Sequence, residues 1–126
     1  MSTPENFEVA EGYACYRPNR QCSFQEAVEL ACTAIAFARD NRITRLLIDT
    51  TKLTGFERPN TSQRFHLGER TAETAMSLVK VAVVANPEMI DARRFGVTVA
   101  RNRGLITEPF VSEADALAWL LDSQAK

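Results

Sequence analysis

The 126-residue sequence contains a single histidine, His66. That excludes any metal site built on paired histidines and leaves a histidine-centred triad one candidate base. Its three cysteines, Cys15, Cys22 and Cys32, are odd in number and have no CxxC spacing. Neither a disulfide framework nor a dithiol redox motif is therefore indicated. The five glycines are scattered, with no GxGxxG and no Walker-type phosphate loop. No apolar run approaches the roughly 20 residues that span a bilayer. The opening segment MSTPENFEVAEG has neither the basic nor the apolar region of a secretory signal. Unpaired cysteines and no signal together imply a reducing cytoplasm. Lysine and arginine number 15 against 16 acidic residues, for a net charge of −1, so the basic field of a nucleic-acid binder is missing.

The composition that remains is that of an ordinary globular chain, 45% apolar and 25% charged. Its length predicts one domain over residues 1–126. Phe7–Ala10 and Tyr13–Arg17 are short β-like runs on either side of Glu11-Gly12, a hairpin pattern. Ser23 and Glu26 have capping-box spacing and open a helix to about Asp40. Its apolar face carries Phe24, Ala27, Val28, Ala31, Ala34, Ile35 and Ala38, and so many alanines predict close approach to a sheet. Ile43–Asp49 and Val79–Ala85 are the nearly continuous apolar runs of strands covered on both faces. Helices are predicted over Thr61–Met76, over Glu88–Arg103, and after Ser112, the last burying Ala114, Leu117, Leu120 and Leu121. Leu105–Phe110 is a brief strand whose Pro109 favours a sheet edge. The resulting order, ββαβαβαβα, predicts an α/β fold with a mostly parallel sheet.

Three segments carry a family resemblance: LLIDTTKLTGF from Leu46, VAVVANPEMIDARRFGVTVARNRGL from Val81, and EADALAWL from Glu113. They resemble the SpoIIAA-like family, which has the STAS-type fold and is similar in architecture to CRAL-TRIO lipid-binding domains. The resemblance spans about residues 7–121. It implies a small bacterial cytoplasmic protein with a mixed sheet of four or five strands and four helices. It also implies a binding or regulatory role with no catalytic group, cofactor or metal. Phosphorylated members of the STAS group carry an Asp-Ser-Ser-Gly-like turn, where this chain has Gly55-Phe56-Glu57-Arg58-Pro59-Asn60. The acceptor serine is missing there, and Thr61 or Ser62 substitutes only if the register slips by two or three residues. A phospho-regulated antagonist is thus an alternative function, and a small hydrolase using Asp49 and His66 another.

Parallel α/β sheets bind ligands beyond the carboxyl ends of their strands. That rule selects Arg17, Arg20, Asp49, Thr50, Phe56, Arg58, Thr61 and Ser62 as the ligand- or partner-binding set. The expected occupant is a small amphipathic molecule with an anionic head, or a protein partner. Arg17, Arg20, Arg58 and the helix start near Thr61 would hold the head, and Phe56, Phe65 and Met89 the tail. The stretch Thr50–Asn60 exceeds the two to six residues usual for such connections and is expected to be a mobile, functional lid or docking loop. His66 shares a helix face with Glu69, Arg70 and Glu73, the pattern of a solvated face. Cys22, one residue before the Ser23 cap, is expected to be a buried thiol rather than a reactive one. Arg93, Arg94, Arg101 and Arg103 give the third long helix a basic side, so a peripheral membrane contact is compatible with the sequence, as is a homodimer.

Overall fold

The computed structural model describes residues 3–124. A hairpin of β1 (Phe7–Ala10) and β2 (Tyr13–Tyr16) leads through a two-residue strand β3 (Arg20–Gln21) into helix α1 (Phe24–Asp40). Strand β4 (Arg45–Asp49), the short β5 (Leu53–Thr54), helix α2 (Thr61–Ala75) and strand β6 (Lys80–Val84) follow. The chain ends in helix α3 (Phe95–Asn102), strand β7 (Thr107–Phe110) and helix α4 (Glu113–Leu121). The main sheet has the order β1-β2-β4-β6-β7, with only β1 antiparallel. Of the four or five strands expected, the main sheet has five and is mostly parallel, the four expected helices are present, and Pro109 does lie on an edge strand. No helix among the described residues is long and apolar enough to cross a membrane.

Strand alternation divides the core between the two faces of the sheet. Ala14, Tyr16, Leu46, Ile48 and Val81 point to the side covered by α1, α2 and α3, where they meet Ile35, Phe37, Ala72 and Ala100. Cys15, Leu47, Ala82 and Val84 point the other way, against Ala116 and Leu120 of α4. Three helices therefore share one face and one helix covers the other. Phe37, beside the main stripe of α1, is buried and meets Phe7 edge-on, with ring centroids 4.9 Å apart. Lys80 at the start of β6 donates to the backbone oxygens of Trp119 and Asp122, both at 3.0 Å, and so closes the end of α4.

The helix starts follow their caps. Ser23 Oγ accepts from the Glu26 amide while the Glu26 carboxylate accepts from the Ser23 amide, and Asn60 and Gln63 make the same reciprocal pair at α2. Two expectations are corrected. The predicted helix over Glu88–Arg103 is a short 3-10 turn, Pro87–Met89, then an irregular strap, and only afterwards α3. The reason is local: the Asp91 carboxylate accepts from the amides of Arg93 and Phe95 and caps α3 late. In α4, Ala114 and Leu121 are exposed, because the buried face is set by Ala116 and Leu120. A third feature, the parallel pairing of β3 with β5, has no signal in such short segments.

Candidate functional site

Helix α2 packs chiefly against α1 and α3 instead of lying on the strands. The gap left beneath it is an apolar cavity of about 210 Å³. Ile48, Val81 and Val83 form its floor, Ala27 and Ala31 of α1 one wall, and Leu67 and Gly68 of α2 its roof. Val97 and Ala100 of α3 close the far side, with Met89 of the 3-10 turn and Ile90 of the strap. At the near end stand Phe24, Leu53 and Phe56. An apolar cavity of roughly 150 Å³ is enough to stay dry and bind benzene. The space is therefore large enough for a short aliphatic or single-ring molecule.

The polar groups on this wall are already engaged. Thr50 Oγ donates to Val84 O at 2.9 Å and Thr71 Oγ to Leu67 O at 2.7 Å. Asn86 Nδ2 donates to Thr51 O at 3.3 Å. Arg64 ties two segments together, with Nε on Pro59 O and Nη2 on Met89 O, each at 3.2 Å, and burial pulls its pKa down from the usual arginine range. Groups satisfied by backbone partners do not activate a nucleophile or polarise a substrate. What the cavity offers a ligand is mainly apolar contact.

The sequence-selected residues divide into separate places. Thr50 and Phe56 line the cavity, as does Met89. Phe56 is half-buried, edge-on to Phe24 with centroids 5.7 Å apart. Leu53 beside it is buried and paired in β5, so the first half of the Thr50–Asn60 stretch is fixed wall. Arg17, Arg20 and Arg58 do not line the cavity. Arg20 lies 3.7 Å from Glu26, and Arg58 is exposed. Thr61 and Ser62 are exposed in the first turn of α2, whose end is already capped by Asn60. Phe65 is exposed on α2, against the ring of Phe95 and under the Arg103 guanidinium.

Arg17 instead grips the start of α4. Its Nε and Nη2 each donate to the Glu113 carboxylate at 2.8 Å, in a bidentate pair. Hydrogen bonding with Arg17, and to a lesser degree with Asp49, lowers the Glu113 pKa from 4.5 to about 2. A carboxyl whose folded pKa is depressed contributes stability above its ordinary value and loses it as pH falls through the folded one. The contribution of this pair should therefore be complete above about pH 4.5 and vanish towards about pH 2. With side chains 42% and 35% exposed, solvent screening keeps it below about 1 kcal/mol. In Arg17→Ala, the Glu113 carboxyl followed by NMR titration should titrate well above 2, moving towards 4.5. A midpoint that stays near 2 in the variant would show that Arg17 is not the cause.

Asp49 is occupied close by, accepting from the Thr51 amide at 2.9 Å and from Thr51 Oγ at 2.6 Å. His66 is half-buried, and its Nε2 is enclosed without a hydrogen-bond partner among the described residues. The Asp49–His66 bond that a hydrolase would need is not made. The face of His66 is also less solvated than its sequence suggests, since Arg70 bonds Glu29 of α1 and Glu69 lies 3.4 Å from Arg103. All three cysteines are buried and unpaired, and burial raises each thiol pKa above the ordinary value, which makes them poor nucleophiles.

Sequence reasoning missed Ala27, Ala31, Leu67, Gly68 and Val97 as cavity walls. The alanine stripe of α1 was the available signal, and it has two functions. Ala34 and Ala38 are fully buried against the core, whereas Ala27 and Ala31 are half-buried and leave room.

Fold and site together define a class: an α/β domain with an apolar cavity between its sheet and three helices. No protein-family model and no curated protein matches the chain. Among solved structures it is similar to an uncharacterised protein of the DUF3478 family with a SpoIIAA-like fold, from Shewanella loihica PV-4. The two are 20% identical, with 95% of this chain and 98% of the other covered and a TM-score of 0.49.

Proposed function

We propose that the chain is a non-enzymatic binding module that takes a small, mainly apolar molecule into the cavity beneath α2. The observation that carries this reading is the cavity itself, about 210 Å³ of largely apolar wall whose polar groups are mostly bonded to backbone. Filling such a space removes apolar ligand surface from water, worth roughly 0.8 kcal/mol per buried methylene. From that gain must be subtracted the cost of association, at least about 4 kcal/mol. For a ligand of six to eight carbons this leaves about 1–2 kcal/mol, so binding by apolar contact alone is weak.

Calorimetry with 1-octanol tests the proposal. The wild-type chain should bind it saturably at one site. Ala31→Phe, which puts a ring into the space beside α1, should weaken binding by at least about tenfold. Its melting temperature should stay within a few degrees of wild type, because Ala31 faces a void. Absence of saturable uptake by the wild-type chain would sink the proposal, as would equal uptake by the Ala31→Phe variant.

A further inference from the structure

We infer that the end of the cavity between α3 and β7 is a carboxylate site, built from Arg94 and Arg101, so that the ligand is an amphipath with a carboxylate head. This rests on the ligand-binding reading above and adds the head group to it. Arg94, Val97 and Glu108 belong to the wall of the apolar cavity. The same three residues also line a second, open hollow of about 450 Å³, completed by Arg93, Thr98, Arg101 and Trp119. The ion pair of Arg94 with Glu108 is thus the partition between an apolar interior and an arginine-rich cup.

The charges at this partition are unequal. Arg94 bonds Glu108, and Arg101 Nη2 lies 3.4 Å from the same carboxylate oxygen. Arg93 beside them makes no ion pair among the described residues. Three guanidiniums therefore meet two carboxylates, Glu108 and the Asp91 that feels the charge of Arg93, which still leaves one positive charge unbalanced where an apolar chain would emerge. Arg101 is positioned in advance, because its Nε donates to Thr107 O at 3.0 Å and fixes the plane of its fork. At the start of α3 the Phe95 amide is already taken by the Asp91 carboxylate. Glu108 is a stand-in for the head group: a carboxylate held between two arginines at the mouth of an apolar cavity. An incoming carboxylate shares or takes over those donors while its chain enters beside Val97.

Octanoate and 1-octanol have the same chain length and differ at the head, so calorimetry on the full chain at pH 7 and low salt separates head from tail. Octanoate should bind about tenfold tighter than octanol. Arg94→Gln and Arg101→Gln should each bring that ratio close to one, and Arg101→Gln, which lies outside the apolar wall, should leave octanol affinity unchanged. Glu108→Gln should tighten octanoate about threefold or more relative to octanol, an outcome that a purely structural ion pair would not give. Arg42→Gln, on the turn after α1, should change neither ligand. The carboxylate site is overturned, with the apolar cavity left standing, if octanoate binds no tighter than octanol, if Arg101→Gln keeps the ratio, or if Glu108→Gln weakens octanoate. Should the arginine variants fail to fold, the wild-type ratio and Glu108→Gln still decide. Failure of octanol as well as octanoate removes the ligand-binding reading itself.

Discussion

Gly55→Ala is expected to destabilise the protein by about 2–4 kcal/mol in urea unfolding, a large loss for the addition of one carbon. Gly55 has φ +103, a conformation that an L side chain enters only with strain of about 1–3 kcal/mol. The added Cβ would also lie 2.7 Å from Cys22 O and 3.0 Å from Cys22 N. Both atoms are backbone and cannot swing away. Cys22 N–H donates to Thr54 O at 2.8 Å, so moving it aside breaks the last bond of the β3–β5 pair. Overpacking of this kind costs a further 1–3 kcal/mol or so, and one backbone shift would relieve part of both penalties. Against a total stability of roughly 5–15 kcal/mol, the change is easily measured. A loss below about 0.5 kcal/mol would mean that the segment yields freely, as a mobile lid would.

That segment shows where sequence reading works and where it stops. Local chemistry was legible. The Ser23–Glu26 capping box, the branched runs of β4 and β6 and the proline of β7 all specify conformation within a few residues, and the structure agrees with each. From such pieces the parallel order followed, because crossover connections leave few arrangements. What could not be read was set by partners far along the chain. The length of Thr50–Asn60 suggests a free loop, yet Leu53 pairs with Arg20 and Phe56 rests on Phe24. Arg17 seemed free to receive a ligand, yet Glu113, 96 residues later, fills its fork. Glu88–Arg103 has helical spacing, but Asp91 prefers the amides of Arg93 and Phe95 and delays the helix.

The candidate site follows the same division. Phe56 and Met89 were legible as apolar residues at the carboxyl edge of the sheet, and both do line the cavity. The cavity itself was not, because an alanine that packs closely and an alanine that leaves a space look alike in one sequence. Ala34 and Ala31 sit three residues apart on the same helix and differ only in what stands opposite them. Nor was the pairing of Arg94 and Arg101 with Glu108 legible, since it requires α3 to lie against β7.

The contact between α2 and α3 yields the second large effect. Gly68→Ala should destabilise the protein by about 1–2 kcal/mol and weaken octanol binding by about tenfold, whereas Gly96→Ala should be close to neutral in both. In a helix, replacing glycine by alanine normally gains about 1 kcal/mol. At Gly68 that gain is outweighed, because the new Cβ would stand 2.7 Å from Gly96 O and 3.0 Å from Val99 Cβ. Neither is the end of a flexible side chain, so α3 must move away from α2. At Gly96 the first contact is Arg64 O at 3.3 Å, a distance that a small adjustment relieves. The asymmetry matters for binding because Gly68 and Gly96 both border the cavity, whose roof and far wall are these two helices. Displacing α3 carries Val97 and Ala100 with it and changes the shape of the space. Urea unfolding and octanol calorimetry on the two variants check this directly. If Gly68→Ala is as stable as wild type and binds octanol equally well, the α2–α3 crossing is not what sets the cavity's shape.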